Sequence, residues 1–308
     1  MRKLRFAFLE ENFAVSGGMR RIIEISNRLV ERGHEVDIML GIPGEPLECD
    51  WLPVKANIKR MEDRTDYDVA LINHCPAWPV LKTTPARLKV YYWLGFEGGY
   101  YTLPIWRDAY AQDFTVIANS PWIAKMARMV YRKEVPVVLG GLDHDMFRPV
   151  KVEKEYELLC CAPEDKPEKG WVMMKRAADL VGLPLENYAV KGLPQDKLAE
   201  EYSKAKIFIG LPTIEGSFCP AQEAMACGVP VIMNNAGGNM YYAKDNVNCV
   251  IVIRNPGDMA YAIEELRANP KFQEKLVEEG FKTAKEMCWE KTTDRFLEVI
   301  YEEYEKTF

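Results

Sequence analysis

The chain has 308 residues, 48% of them hydrophobic and 28% charged, with a formal net charge of −6. That is too much chain for one ordinary core and suits two domains of about 150 residues, and it excludes a disordered or fibrous polymer. No apolar run approaches the roughly 18 to 20 residues needed to cross a bilayer, and the segments before and after Pro149 carry +1 and −7, too little positive charge for nucleic acid to be the main partner.

Near the start a very short apolar run turns acidic at Glu10, which predicts a buried first strand at 4–9 rather than a signal peptide. Further strands are expected at 36–40, 69–72, 89–93, 115–118 and 135–139. Between the first two, Ile22, Ile23, Ile25, Ser26, Leu29 and Val30 recur at helical spacing and Gly33 follows as a stop, giving one complete βαβ unit. A charged, Pro-containing stretch around Pro149 marks a boundary. The alternation then restarts, with strands at 158–161, 188–190, 207–211, 231–233 and 250–253 and helices at 171–181, 195–205, 220–227, 256–268 and 270–287. Phe296, Leu297, Ile300, Tyr301 and Tyr304 then share one stripe of a closing amphipathic helix. The pattern is α/β: two Rossmann-like domains in series, residues 1–149 and 150–288, with residues 289–308 as a terminal helix.

The eight cysteines, at 49, 75, 160, 161, 219, 227, 249 and 288, form no Cys-x-x-Cys pair and read as reduced core thiols. Three scattered histidines give a zinc site little to be built from. Ser16-Gly17-Gly18 lies in the first strand-to-helix turn, where glycines let backbone approach a ligand and the helix start favours an anion, or simply make a tight turn. In the second half, Glu215 and Glu223 flank a helix expected to begin at Pro220 with Cys219 as N-cap. Two carboxylates beside a helix N-terminus suit a polyhydroxyl group attached to a phosphate, although solvated charges can share that spacing.

The stretch from Glu215 to Glu223 resembles the Glu-x7-Glu motif of retaining glycosyltransferase family four, enzymes of the GT-B fold that use nucleotide-sugar donors. Ser16-Gly17-Gly18 resembles the family's first glycine loop, Gly141-Leu142-Asp143 through Phe147-Arg148-Pro149 its interdomain signature, Glu168-Lys169-Gly170 its phosphate-binding Lys-Gly, and Ala236-Gly237-Gly238 a further loop. The resemblance implies two Rossmann-like domains facing a cleft, an acceptor domain first and a donor domain second, with the last helix returning to the first domain. It also implies that Glu223 binds the donor ribose and Glu215 the transferred sugar. Backbone around Phe218 and Cys219 would hold sugar and diphosphate, and Lys169, with Lys166 as a nearby cation, would neutralise the leaving group, while Gly17 and Gly18 face the diphosphate. The expected reaction is a metal-independent hexosyl transfer with retention, using no cofactor beyond the nucleotide-sugar.

The chain departs from the family where an Arg usually precedes the Lys-Gly, where Phe-Gly is replaced by Ser217-Phe218, and where a His usually follows an N-terminal strand. A non-catalytic relative that binds nucleotide-sugar or glycan is the alternative. An oxidoreductase is disfavoured by the lack of Gly-x-Gly-x-x-Gly and Tyr-x-x-x-Lys. The aromatic, Gly-rich loop at 93–101 reads as an acceptor wall with Glu97 on a hydroxyl, or as an ordinary loop. Asp143 and Asp145 are assigned no metal. Lys125, Arg128, Arg132 and Lys133, beside Trp122, Met126 and Met129, form a basic face suited to anionic headgroups or to plain solvation. The expected partners are a nucleotide-sugar and a glycan, lipid-linked or small-molecule acceptor, and the expected location is cytoplasmic, peripheral at the inner membrane face if that basic surface meets lipid.

Overall fold

The computed structural model describes residues 2–44, 46–96 and 103–308, the side chains of 103, 104 and 106 excepted. Glu97 and its neighbours to residue 102 lie outside the described residues. The chain divides into two units, Met1–Gly141 with Trp289–Phe308, and Leu142–Cys288.

In unit 1, β1 (Arg5–Glu10), β2 (Glu35–Leu40), β3 (Asn57–Arg60), β4 (Tyr67–Ile72), β5 (Ala86–Trp93) and β6 (Thr115–Ala118) form one parallel sheet in the order β3-β2-β1-β4-β5-β6. The inner strands are near-continuous apolar runs because helices cover a parallel sheet on both faces. The connecting helices are α1 (Gly17–Glu31), α2 (Trp78–Thr83), α3 (Leu103–Tyr110) and α4 (Pro121–Tyr131). Strand β3 was not expected from sequence: Asn57-Ile58-Lys59-Arg60 is polar because it is an edge strand, where charge discourages further pairing. The expected strand at 135–139 is reduced to a single bridge from Val137 to Ala118.

Unit 2 contains β7 (Tyr156–Cys160), α5 (Trp171–Leu180), β8 (Leu185–Asn187), α6 (Leu198–Ser203), β9 (Ala205–Gly210), α7 (Cys219–Ala226), β10 (Val231–Asn234), β11 (Val250–Val252), α8 (Pro256–Ala268) and α9 (Pro270–Glu286). Its parallel sheet has the order β11-β10-β9-β7-β8. The strand expected at 188–190 is a 3-10 turn. Pairing stops one residue earlier because the Asn187 side chain accepts from Ala189 N and donates to Ala162 O.

The division between units falls at Gly141, earlier than the boundary expected at Pro149. Phe147 explains the difference. Its side chain is 1% exposed and meets the Tyr202 ring at 6.3 Å, while His144 Nε2 lies 2.8 Å from Met287 O. The segment is therefore anchored in unit 2 before its charged, Pro-containing end is reached. The last helix, α10 (Trp289–Glu305), belongs to unit 1. Phe296 packs against Phe6 and Tyr92, and Arg28 and Arg32 of α1 pair with Glu290 and Asp294. The two crossings lie side by side. Leu142 bridges Cys288, and a Cβ at Gly141 would stand 2.5 Å from Trp289 N, so only glycine allows that approach.

Candidate functional site

In unit 2 the strand order reverses between β7 and β9, and the residues singled out from sequence follow these two strands. A ligand crevice of a doubly wound sheet forms at such a reversal, beyond the carboxyl ends of the strands. After β7, a 3-10 turn carries Lys169 and ends at Gly170, whose φ is +86. A Cβ there would lie 2.2 Å from Leu211 O just past β9. Glycine is thus required twice, by its left-handed backbone and by close approach. Lys169 Nζ meets Glu215 Oε1 at 2.6 Å, so sequence-predicted residues 46 positions apart form one ion pair.

The Glu215 backbone is fixed by the glycine loop after β10. Glu215 N donates to Ala236 O and Gly238 N to Glu215 O, each at 2.9 Å. A Cβ on Gly238 would stand 2.0 Å from Gly216 O. Two loops far apart in sequence are therefore welded by main-chain contacts at the site.

Helix α7 begins at Cys219, with Pro220 in its first turn and Phe218 as the N-cap residue, one position before the expected cap. No side chain caps it, so its N-terminal dipole is left for another acceptor. Phe218 has φ +62, a conformation that costs a non-glycine residue on the order of 1–3 kcal/mol. The turn sends the ring inward: Phe218 is 5% exposed, it faces Phe208 at 6.4 Å, and a Cβ on Gly210 would meet its Cζ at 2.4 Å. Tyr242 OH donates to Phe218 O at 3.0 Å. The bulky Phe218 side chain is thus packed inward, beneath its own loop.

Glu223, in α7, is 6% exposed, and its Oε2 accepts from Tyr202 OH at 2.8 Å. Tyr202 and Tyr188 share a hydroxyl hydrogen bond of 2.6 Å. Burial, and then the Glu223 charge, hold the Tyr202 phenol well above its ordinary pKa, so it remains a donor that orients the carboxylate. Neither tyrosine was found from sequence: Tyr188 fell in an expected strand and Tyr202 in an expected helix, and an aromatic residue in either reads as core until its partner is known. Gln222 was missed as well; its Nε2 donates to Ser217 Oγ and Tyr241 OH, at 2.9 and 2.8 Å, and ties down the loop between the two glutamates. Cys161 follows β7 near this cluster, and burial pushes its thiol up to about 12, which makes it an inert wall rather than a nucleophile. Lys166 is exposed at the start of the Lys169 turn.

In unit 1, Ser16 caps α1 through a bond from Met19 N to its Oγ at 3.1 Å, and Gly17 and Gly18 are the first helical residues. A Cβ on Gly18 would make ordinary contact, 3.6 Å from Leu94 Cδ1, so the polypeptide does not itself demand glycine there. In α4, Arg128 pairs with Glu134 at 3.0 Å, and Lys133 lies 3.5 Å from Asp113. Asp143 Oδ1 accepts from Asp145 N and Met146 N, a turn-closing role. Among the described residues no group of three His, Cys, Asp or Glu side chains gathers as metal ligands, no helix is long and apolar enough to cross a membrane, and the eight cysteines are unpaired.

These two parallel sheets, with their strand orders and terminal helix, define a GT-B fold. Residues 147–283 match the model of a family described as glycosyl transferases group 1. Sucrose-phosphate synthase from Thermosynechococcus elongatus is similar with a TM-score of 0.76 at 17% identity, covering 97% of this chain and 98% of that one. Anabaena HepE in complex with UDP-glucose is similar with a TM-score of 0.76 at 16% identity, over 97% of this chain and 100% of that one. The D-inositol 3-phosphate glycosyltransferase of Thermomonospora curvata is 34% identical over 108 residues, 34% of this chain and 25% of that protein. That of Thermobifida fusca is 29% identical over 106 residues, 34% of this chain and 24% of that protein. The chain thus matches about a quarter of the length of these curated relatives.

Proposed function

We propose that the chain is a glycosyltransferase that moves a hexose from a nucleoside diphosphate sugar to an acceptor hydroxyl, with retention and without a metal ion. The observation that carries this reading is the Lys169–Glu215 pair at 2.6 Å, on loops after β7 and before the uncapped α7, the helix that also carries Glu223 held by Tyr202. A carboxylate accepts sugar or ribose hydroxyls, while an ammonium and a helix N-terminus face a diphosphate. In this reading Glu223 holds the ribose and Glu215 the hexose. Lys169 leaves Glu215 for the diphosphate, with Lys166 as a second cation and the Phe218 and Cys219 backbone against the phosphates. Complexes of the similar HepE contain UDP and UDP-glucose, which favours a nucleotide-sugar ligand.

The bond from the anomeric carbon to the diphosphate breaks while a bond to the acceptor oxygen forms on the same face. The acceptor's proton passes to a phosphate oxygen of the departing group. The chain's contribution is stabilisation of that charge by Lys169 and the helix end, the effect that dominates when charge develops in a partly dry site. The test is incubation with UDP-, GDP- and ADP-hexoses, following release of free sugar by NMR in the presence of EDTA. Release of the α-anomer from an α-linked donor supports the reading. Magnesium-dependent release, or inversion, overturns the corresponding part of it.

A further inference from the structure

Unit 1 also reverses its strand order, between β1 and β4, where Glu10, Asn73 and His74 line an open concavity. The described residues around it come from the ends of β1, β4 and β5 and from the start of α1. Unit 2 differs, because a long side chain reaches toward its reversal from the edge of the sheet.

That side chain is Arg254, which follows the edge strand β11. Its Nε donates to Leu211 O at 2.9 Å, so it spans the end of β10 to meet the exit of β9. Among the described residues no carboxylate pairs with it, and burial alone acts on its charge, holding its pKa below the ordinary guanidinium value. An ion pair is thus not what keeps it there.

Leu211 O is also the atom on which Gly170 rests, since a Cβ on that glycine would stand 2.2 Å away. Beside it, Asn234 Nδ2 donates to Pro212 O at 3.0 Å, and Thr213 N donates to Glu168 O at 2.7 Å. Residues 211–213 therefore form a seat. Arg254 and Asn234 hold it from the ends of β11 and β10, and the turn after β7 is fastened to it at both neighbours of Lys169, Glu168 and Gly170. The backbone of Lys169 is placed by that seat, and its ammonium meets Glu215. A cation gains from a phosphate only at hydrogen-bond distance, and a shift of about 1 Å forfeits much of the gain.

Resting on the glycosyltransferase reading, we propose that Arg254 is a positioning residue for the donor diphosphate: its hydrogen bond to Leu211 O sets the seat of the Lys169 turn, and through it the place of the ammonium. Arg254 acts through Lys169 and does not touch the ligand. Its Nε–H carries the effect, and its charge does not.

Gln places its Nε2 as many bonds from the backbone as Arg places Nε, whereas Met is unbranched and brings no donor. Arg254→Gln and Arg254→Met are therefore compared in the full chain. UDP, GDP and ADP are titrated by calorimetry, and the nucleoside of whichever binds is titrated by saturation-transfer NMR. Arg254→Met should weaken the diphosphate by about three- to ten-fold, the loss of one hydrogen bond, and leave the nucleoside unchanged. Arg254→Gln should stay within about two-fold of wild type for both ligands. In a Lys169→Ala background the Arg254→Met loss should vanish, a coupling that a merely structural strut would not show. Unchanged diphosphate affinity in Arg254→Met, an equal loss of nucleoside, or a loss that persists without Lys169 overturns the inference. If Arg254→Met does not fold, Arg254→Gln carries the test: wild-type diphosphate affinity supports the role of the Nε–H, and a loss beyond about two-fold overturns it. Nucleotide binding that Arg254 does not influence defeats this inference alone, whereas absence of all nucleotide binding by the wild type defeats the glycosyltransferase reading.

Discussion

At the reversal point of unit 2 an ammonium and two carboxylates stand beside an uncapped helix start, on loops locked by main-chain contact. At the equivalent point of unit 1 the described wall holds a buried carboxyl, an amide and an imidazole, and no cation. The glycines differ in the same sense. A methyl on Gly238 or Gly170 would collide with backbone oxygens at 2.0 and 2.2 Å, while one on Gly18 would make ordinary contact. One edge is thus preformed and charged, and the other is open and mostly neutral. The same topology thus carries loops of different chemistry at its two reversal points.

The largest expected effect breaks the preformed edge. Gly238→Ala and Gly170→Ala should each cost about 3 kcal/mol or more, since neither backbone neighbour can retreat and Gly170 adds the strain of its positive φ. Gly18→Ala should stay within about 0.5 kcal/mol. Urea denaturation measures all three, and equal losses would erase the contrast. Any loss of transfer in Gly18→Ala would then report on ligand approach rather than folding.

Next come the charged groups. Lys169→Ala and Glu223→Ala should each weaken nucleotide binding by about ten- to a hundred-fold, the loss of a charge-assisted hydrogen bond. Glu215→Gln should spare free nucleotide and impair the intact donor. Isothermal titration with nucleotide and nucleotide-sugar separates these outcomes, and an unchanged affinity in Lys169→Ala would remove that residue from the site.

The neutral edge has its own signature in pH. The Glu10 carboxyl is raised from 4.5 to about 8 by burial, partly offset by Asn73, with Glu11 adding to the rise. The folded state therefore holds a proton that the unfolded chain releases, and this stability, complete below 4.5, drains away as pH climbs through about 8. Glu10→Gln keeps the shape without the ionisation, so its melting temperature relative to wild type should rise across that window, by several degrees near its upper end. A constant difference across the window would show that Glu10 is not the titrating group; Glu11 and His74 are the neighbours to examine next.

The smallest effect sharpens the Glu223 assignment. Tyr202→Phe should reduce nucleotide affinity by roughly three- to ten-fold, about 1 kcal/mol for one hydrogen bond. The loss should vanish in a Glu223→Ala background. Persistence there would make Tyr202 a packing residue only.

Part of the charged edge was named in advance: Glu215 and Glu223 stand out beside an expected helix start, and Lys169-Gly170 was picked out by its resemblance to a family motif. Pairing between Lys169 and Glu215 was not legible, since it depends on the two loops that meet across β7 and β9. The other edge was nearly invisible: Glu10 read only as the acidic residue that follows the first apolar run, and burial is what makes its carboxyl unusual. The inward turn of Phe218 was hidden for a related reason. Its size is written in the sequence, while the left-handed turn that drives the ring inward is set by the space above Gly210. Strand β3 and the 3-10 turn after β8 show the same limit, as polar side chains decide both.

The paired crossings at Gly141 and Trp289 also set an order of assembly during synthesis. Unit 2 is one unbroken stretch of chain, whereas unit 1 is interrupted by it and regains α10 only after unit 2 has been made. On the ribosome, the second unit can close while the first still lacks the helix that covers Phe6 and Tyr92. For that interval the nascent sheet presents apolar surface to whatever is nearby. Of the two units, the one begun first is therefore completed last.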